Sequence, residues 1–240
     1  MIANLAAGIL TVLSLFCGFV SLIFSLEGHF TFASWAIILA VVFDGLDGQV
    51  ARRNPVPSEF GRELDSLVDV VCFGIAPAVL GYVFVYGEFY FWATAALFIY
   101  LTCSIIRLAK YNITPKGALP KHFSGLPTTA GGGMLASFIL VYRGYTRFPP
   151  PILFLVLVIA LSYLMVSKIR YLNLDGLKEV FRGSPRPAMA VLAVLILVSI
   201  IFYRASDVFL PEVAVFTLFV IYLFSPLCVR RLKIPSLRQG

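Results

Sequence analysis

The sequence predicts an all-α integral membrane protein, a polytopic bundle of about eight transmembrane helices, and three observations predict it. The chain of 240 residues is 60% apolar with only 13% charged residues, too apolar for a soluble domain. Apolar runs of roughly 20 residues, the length that crosses a bilayer, recur from end to end with short polar joints between them. Lys and Arg gather in alternate joints, as they do where basic loops are retained on the cytoplasmic side. No stretch is left over for a soluble domain, so residues 1–240 read as a single transmembrane domain.

The spans are expected near residues 4–26, 31–51, 65–86, 89–107, 127–142, 150–167, 187–203 and 212–229. The first starts almost at Met1, without the basic stretch that opens a cleaved signal peptide, so it is expected to stay and to act as its own insertion signal. Asn54-Pro-Val-Pro-Ser58 marks a turn between spans two and three, because each proline removes a donor and restricts the residue before it. Thr114 to Pro120 and Arg182 to Pro187 break the later joints in the same way.

Sixteen of the nineteen Lys and Arg residues lie in the joints after spans two, four and six and in the tail, against Arg143, Arg147 and Arg204 on the opposite side. That bias places both termini in the cytoplasm, in a multi-pass protein of the cell (inner) membrane. It also accounts for most of the net charge of +7. Nucleic-acid binding would need the cations gathered on a soluble face, and none exists here. Cys17, Cys72, Cys103 and Cys228 are scattered within spans, which indicates neither a zinc site nor a disulfide framework. His29 and His122 are isolated and read as having no metal role.

Span two is the informative one. Only about 14 apolar residues, Phe30 to Phe43, precede Asp44, which is short of a full crossing. The helix must therefore continue through Asp44 and Asp47, below the cytoplasmic surface, where an ionised side chain is costly unless paired, hydrated or bound to a cation. Asp65 and Asp69 are expected to open span three at a matching depth. Asp44 and Asp47 are three residues apart and Asp65 and Asp69 four apart, so each pair shares one helix face. The short joint brings the two faces together. Four carboxylates at close quarters repel unless a divalent cation neutralises them, and oxygen-only ligation suits Mg²⁺, Mn²⁺ or Ca²⁺. The plainer alternative is an interfacial salt-bridge network with Arg52, Arg53 and Arg62. Against it, Gly45, Gly48, Ala51 and Gly61 leave room for a ligand beside the backbone.

The run Asp44-Gly-Leu-Asp47-Gly48-Gln-Val-Ala51-Arg52, eight residues, Gly61-Arg-Glu-Leu-Asp65-Ser-Leu-Val-Asp69 resembles the signature of the CDP-alcohol phosphotransferases, D-x2-D-G-x2-A-R-x8-G-x3-D-x3-D. All eight defining positions match at the same spacing. The resemblance implies a membrane enzyme that moves a substituted phosphate from a CDP-linked donor to an alcohol and releases CMP. It implies further that Asp44, Asp47 and Asp65 ligate metal, Mg²⁺ or Mn²⁺ and two ions, with Asp69 a further ligand and the base for the acceptor hydroxyl. Asp47, Gly48, Ala51, Arg52, Gly61 and Asp65 would hold the CDP donor. Arg52 also has an ordinary explanation as a basic residue at a cytoplasmic helix end.

Arg107-Leu-Ala-Lys110-Tyr111-Asn112, Phe123-Ser-Gly125-Leu126-Pro127-Thr128 and Thr11 to Gly18 are similar to segments of the phosphatidylserine synthase branch. Ser14 stands where that branch has Asn, and Thr129 where it has Pro. The resemblance covers about residues 1–135, the expected catalytic core, with additional helices over about 150–229. It implies CDP-diacylglycerol and L-serine as substrates, formation of phosphatidylserine, and a homodimer. Arg107 and Lys110, with Asn112, are then candidates to hold the serine carboxylate, or else positive-inside anchors. Other acceptors of the same family, glycerol 3-phosphate, an inositol phosphate or choline, stay open at this point.

The competing class is a divalent-cation transporter, which also carries carboxylates in membrane helices but places them near the midplane across repeated halves. Here no second half repeats the aspartates. Gly131-Gly-Gly133 reads as helix packing, and Asp175 with Glu179 as a solvated face.

Overall fold

Helix α1 (Ile2–Leu26) ends where Gly28 adopts a left-handed φ of 76°. The Gly28 N–H donates to the Ser25 carbonyl at 3.1 Å and the His29 N–H to the Phe24 carbonyl at 2.8 Å. This is the Schellman pattern, in which a glycine past the helix end lets the chain fold back over the last carbonyls. The Phe24 and His29 rings close it edge to face at 6.2 Å. The reversal starts α2 (Phe30–Arg52) at once, and the two helices pack along one another as a hairpin.

The computed structural model describes residues 2–52, 59–85, 90–113, 122–143, 151–172 and 210–231. The expected span at 187–203, the proline-containing joints, and Asp175 with Glu179 lie outside the described residues. After α2 come α3 (Glu59–Asp69), a π-helical turn (Val70–Ile75) and α4 (Ala76–Phe84), one continuous helical rod. The chain continues through α5 (Tyr90–Ile113), β1 (His122–Ser124), α6 (Thr128–Arg143), α7 (Pro151–Val166), β2 (Arg170–Leu172) and α8 (Leu210–Arg231). Among the described residues, four helices are long and apolar enough to cross a membrane: Ala6–Leu26, Phe30–Ala51, Glu59–Phe84 and Tyr90–Ile113. Ile152–Val166 and Pro211–Pro226 are apolar but shorter.

Over the described residues the chain is a helical bundle with four candidate membrane spans, and two local features differ from the expected pattern. The third rod starts at Glu59 rather than near residue 65, because its first turns form a polar, amphipathic helix that no apolar run marks. The second difference is a short antiparallel ribbon pairing His122 with Leu172 and Ser124 with Arg170. Three-residue strands carry too little alternation to be read from sequence.

Bulky apolar residues stand on the outside as well as in the interior, which takes small residues together with large ones such as Phe73 and Phe154. Phe16, Phe19 and Phe98 are 57–68% exposed, as lipid-facing residues are, while Ala33, Ala40, Ser14, Ser21 and Ser34 are buried between helices. Helices in lipid gain nothing from hiding apolar surface, so they associate through small residues that admit close backbones and through hydrogen bonds of about 0.6 kcal/mol on average. Ser14 supplies one, donating to the Ala40 carbonyl at 3.2 Å. The glycine run is packing, as expected. A Cβ on Gly132 would lie 3.1 Å from the Phe73 Cα, and Cβ atoms on Gly131 and Gly133 would overlap Met165 and Phe219. One apolar core thereby joins α2, α4, α5, α6 and α7, with α8 packed on α6.

Candidate active site

The four aspartates meet between α2 and α3. Asp44 and Asp47 come from the C-terminal half of α2, and Asp65 and Asp69 from the middle and end of α3. Carboxylate oxygens of Asp44, Asp47 and Asp65 all lie within 4.8 Å of one another. Asp47 is 4% exposed, and its Oδ2 accepts a 2.9 Å hydrogen bond from the Thr11 hydroxyl of α1. That hydroxyl also sits 3.0 Å from the Ala7 carbonyl, but a charged acceptor competes better for its single proton.

Asp69 stands within hydrogen-bonding reach of Asp44, with Arg107 as a neighbouring charge. Its Oδ1 is buried without a hydrogen-bond partner in the described structure, which suits an oxygen meant for a cation or a substrate proton. The donor set is all oxygen and anionic, so the residues present fit a hard divalent cation. The alternative salt-bridge network is not what Arg62 makes, since its guanidinium reaches Glu63 at 3.3 Å. The side chains of Arg52 and Arg53 lie outside the described residues.

The helical rod beyond Asp69 explains how this carboxylate is held. Pro77 has no N–H to offer the Phe73 carbonyl four residues back, so a regular α-helix cannot satisfy that oxygen. The rod instead widens into the π turn, in which the Ala76 N–H bonds the Val71 carbonyl. The buried Tyr100 hydroxyl of α5 donates to the Phe73 carbonyl at 2.8 Å. Such single-turn bulges recur at functional sites. Opposite, Cys72 reaches the Ser14 carbonyl at 3.2 Å, and a Cβ on Gly18 would fall 2.5 Å from its Sγ, so α1 presses against the turn. Cys17, Cys72 and Cys103 are free thiols, while the side chains of Cys228 and His122 lie outside the described residues. His29 is an exposed turn residue 3.9 Å from Glu27.

Among the candidate donor residues, Gly48 and Gly61 are half-buried and Ala51 is exposed. A Cβ on neighbouring Gly45 would meet nothing within 4 Å. On the acceptor side the structure separates the three candidates. Arg107 points inward, with Asp69, Tyr222, Tyr111 and Asp44 as its ionisable neighbours, and donates to the Thr128 hydroxyl at 3.2 Å. Lys110 is exposed. Asn112 is engaged by α3, accepting from the Ser66 hydroxyl at 3.1 Å and reaching Glu63 Oε2 at 3.4 Å.

The segment from Phe123 to Thr129 is moored by the chain beyond it. Gly125, at φ 83°, donates to the Ile169 carbonyl at 2.9 Å, and the Leu126 N–H to the Leu164 carbonyl at 3.0 Å. Tyr171 of β2 stacks on Tyr222 of α8 with ring centroids 5.8 Å apart. Sequence reasoning missed the hydroxyls of Thr11, Thr128 and Thr129 as members of the site. Their only signal was that all three fall in or beside the segments resembling the synthase branch.

A sequence model of the CDP-alcohol phosphatidyltransferase family matches residues 4–148. The chain belongs to that family. It is 33% identical over 199 residues to a CDP-diacylglycerol–serine O-phosphatidyltransferase of Helicobacter pylori, covering 82% of this chain and 81% of that protein. It is 36% identical over 171 residues to an archaetidylserine synthase of Methanothermobacter thermautotrophicus, with 70% of each chain covered. A CDP-diacylglycerol–serine O-phosphatidyltransferase of Bacillus subtilis is 33% identical over 162 residues, 68% of this chain and 86% of that one. For a CDP-alcohol phosphatidyltransferase, the aspartates of α2 and α3 are where the motif and the geometry coincide.

Proposed function

We propose that this protein transfers the phosphatidyl group of CDP-diacylglycerol to the hydroxyl of L-serine, releasing CMP and forming phosphatidylserine. The observation that carries the reading is the meeting of the motif aspartates of α2 and α3 in a chain whose serine-transferring relatives match most of its length. Bound divalent cations, Mg²⁺ or Mn²⁺ and two in number, would offset the charge developing on the departing CMP. Asp44, Asp47 and Asp65 are the residues to hold them, with Asp69 beside them.

The chain's own residues do the rest. Arg107 binds the serine carboxylate, since a planar cation grips a carboxylate at two points, and Lys110 stands at the rim. Asn112 braces α5 on α3. Serine is thereby turned so that its hydroxyl meets Asp69, which takes the proton as the oxygen bonds to phosphorus and the pyrophosphate P–O bond breaks. Gly48, Ala51, Arg52 and Gly61 line the cytidine diphosphate.

The reading extends to the whole chain. The site opens to the cytoplasm, at the depth where the pyrophosphate of a CDP-linked lipid lies. Both termini are cytoplasmic, and the spans number eight in one domain whose catalytic core is about residues 1–135. Loop charge supports the sidedness, and family resemblance alone supports a homodimer. The acceptor is tested by offering serine, glycerol 3-phosphate, inositol phosphate and choline in turn to the purified protein with CDP-diacylglycerol in mixed micelles. Serine alone is expected to release CMP. Release with another alcohol and none with serine would refute the serine assignment.

A further inference from the structure

Two adjacent threonines open α6 and face opposite halves of the site. Thr128, fully buried, accepts from Arg107 Nη1 at 3.2 Å. Thr129 donates its hydroxyl proton to Asp44 Oδ2 at 3.3 Å. The bond joins residues 85 positions apart and crosses from α6 to α2, so it is not a local turn contact. Thr129 is the second residue of its helix, so no helical carbonyl lies four residues back to compete for the proton. Nor can the start of α6 drift, since the Gly125 and Leu126 amides tie the preceding backbone to Ile169 and Leu164. A Cβ on Gly125 would run into the Met165 carbonyl, so the approach of the two segments admits nothing larger.

We propose that Thr129 is a positioning residue for the metal-binding carboxylate of Asp44, fixing its rotation so that it converges with Asp47 and Asp65. Groups that hydrogen-bond a metal-ligating carboxylate set its orientation, and their loss weakens metal binding by about 10–100-fold. Through the neighbouring Thr128, the same turn of helix sets Arg107, so one moored element registers the acceptor cation against the metal carboxylate. The inference rests on reading the aspartates as a metal site, and its test separates the two.

The measurement is Mn²⁺ binding by electron paramagnetic resonance, on the full-length protein in lipid nanodiscs without nucleotide. Thr129→Val keeps the side-chain shape and removes the donor, and is expected to weaken Mn²⁺ binding by at least about tenfold. Thr129→Ser should bind as the unaltered protein does, and all should share one thermal midpoint in chelator. Should Thr129→Val fail to fold, Thr129→Ala is read against Thr129→Ser in the same way. Wild-type Mn²⁺ affinity in the valine or alanine variant, or equal weakening in the serine variant, overturns the proposal while leaving the metal site standing. Asp44→Asn should lose Mn²⁺ affinity outright; wild-type affinity there would overturn the metal site and this proposal together.

Discussion

Asp69 and Arg107 carry the most specific expectations at the scale of single residues. A general base contributes about 10²–10⁴-fold, so Asp69→Asn should lower kcat by that order. In the role proposed for it, Arg107 would give the serine carboxylate a charge-assisted contact of about 1.5–3 kcal/mol. Arg107→Gln should therefore raise the KM for serine by roughly 10–100-fold and leave the KM for CDP-diacylglycerol near its original value. Steady-state kinetics with each substrate varied in turn distinguishes this from a general loss of fold, which would move both. The aspartates were legible in the sequence because helical spacing of three and four is a local property. The Thr129 to Asp44 bond was not, since nothing local relates residues 85 apart.

Two helical elements, the π turn and the start of α6, hold the site in shape. Tyr100→Phe deletes only the hydroxyl that satisfies the Phe73 carbonyl, leaving a buried acceptor unpaired at a cost of about 1–3 kcal/mol. The thermal midpoint in detergent should fall, whereas an unchanged midpoint would mean the carbonyl finds another partner. Gly125→Ala places a side chain at φ 83° and against the Met165 carbonyl, and left-handed backbone alone costs about 1–2 kcal/mol. It should lower the midpoint and raise the serine KM together, because the segment it distorts leads to Thr128; a fall in stability with an unmoved KM would contradict that link. Pro77 says only that the Phe73 carbonyl loses its helical donor; that Tyr100 supplies another could be found only once α5 had been placed. The early start of α3 escaped notice for a related reason, as Glu59 to Asp65 interrupts the apolar pattern that marks a span.

Taken as a whole, the molecule puts α1, α2, α3, α5 and α6 around a polar cluster, with an apolar core of both large and small residues beside it and further bulky apolar residues turned outward. Composition made the membrane class and most helix positions readable, because length and apolarity decide what can cross a bilayer. It gave no account of what the segments after α6 do. In the structure α7 and β2 moor the loop that leads into Thr128 and Thr129, and α8 brings Tyr222 beside Arg107. The aspartates of α2 and α3 are proposed to perform serine-dependent phosphatidyl transfer. That role is tested most directly by CMP release from CDP-diacylglycerol, comparing unaltered protein with Asp69→Asn while CDP binding is measured on both. Release by the unaltered protein should require serine and a divalent cation, and Asp69→Asn should release nearly none with CDP still bound. Undiminished serine-dependent release by Asp69→Asn, or release indifferent to serine in the unaltered protein, would contradict that role.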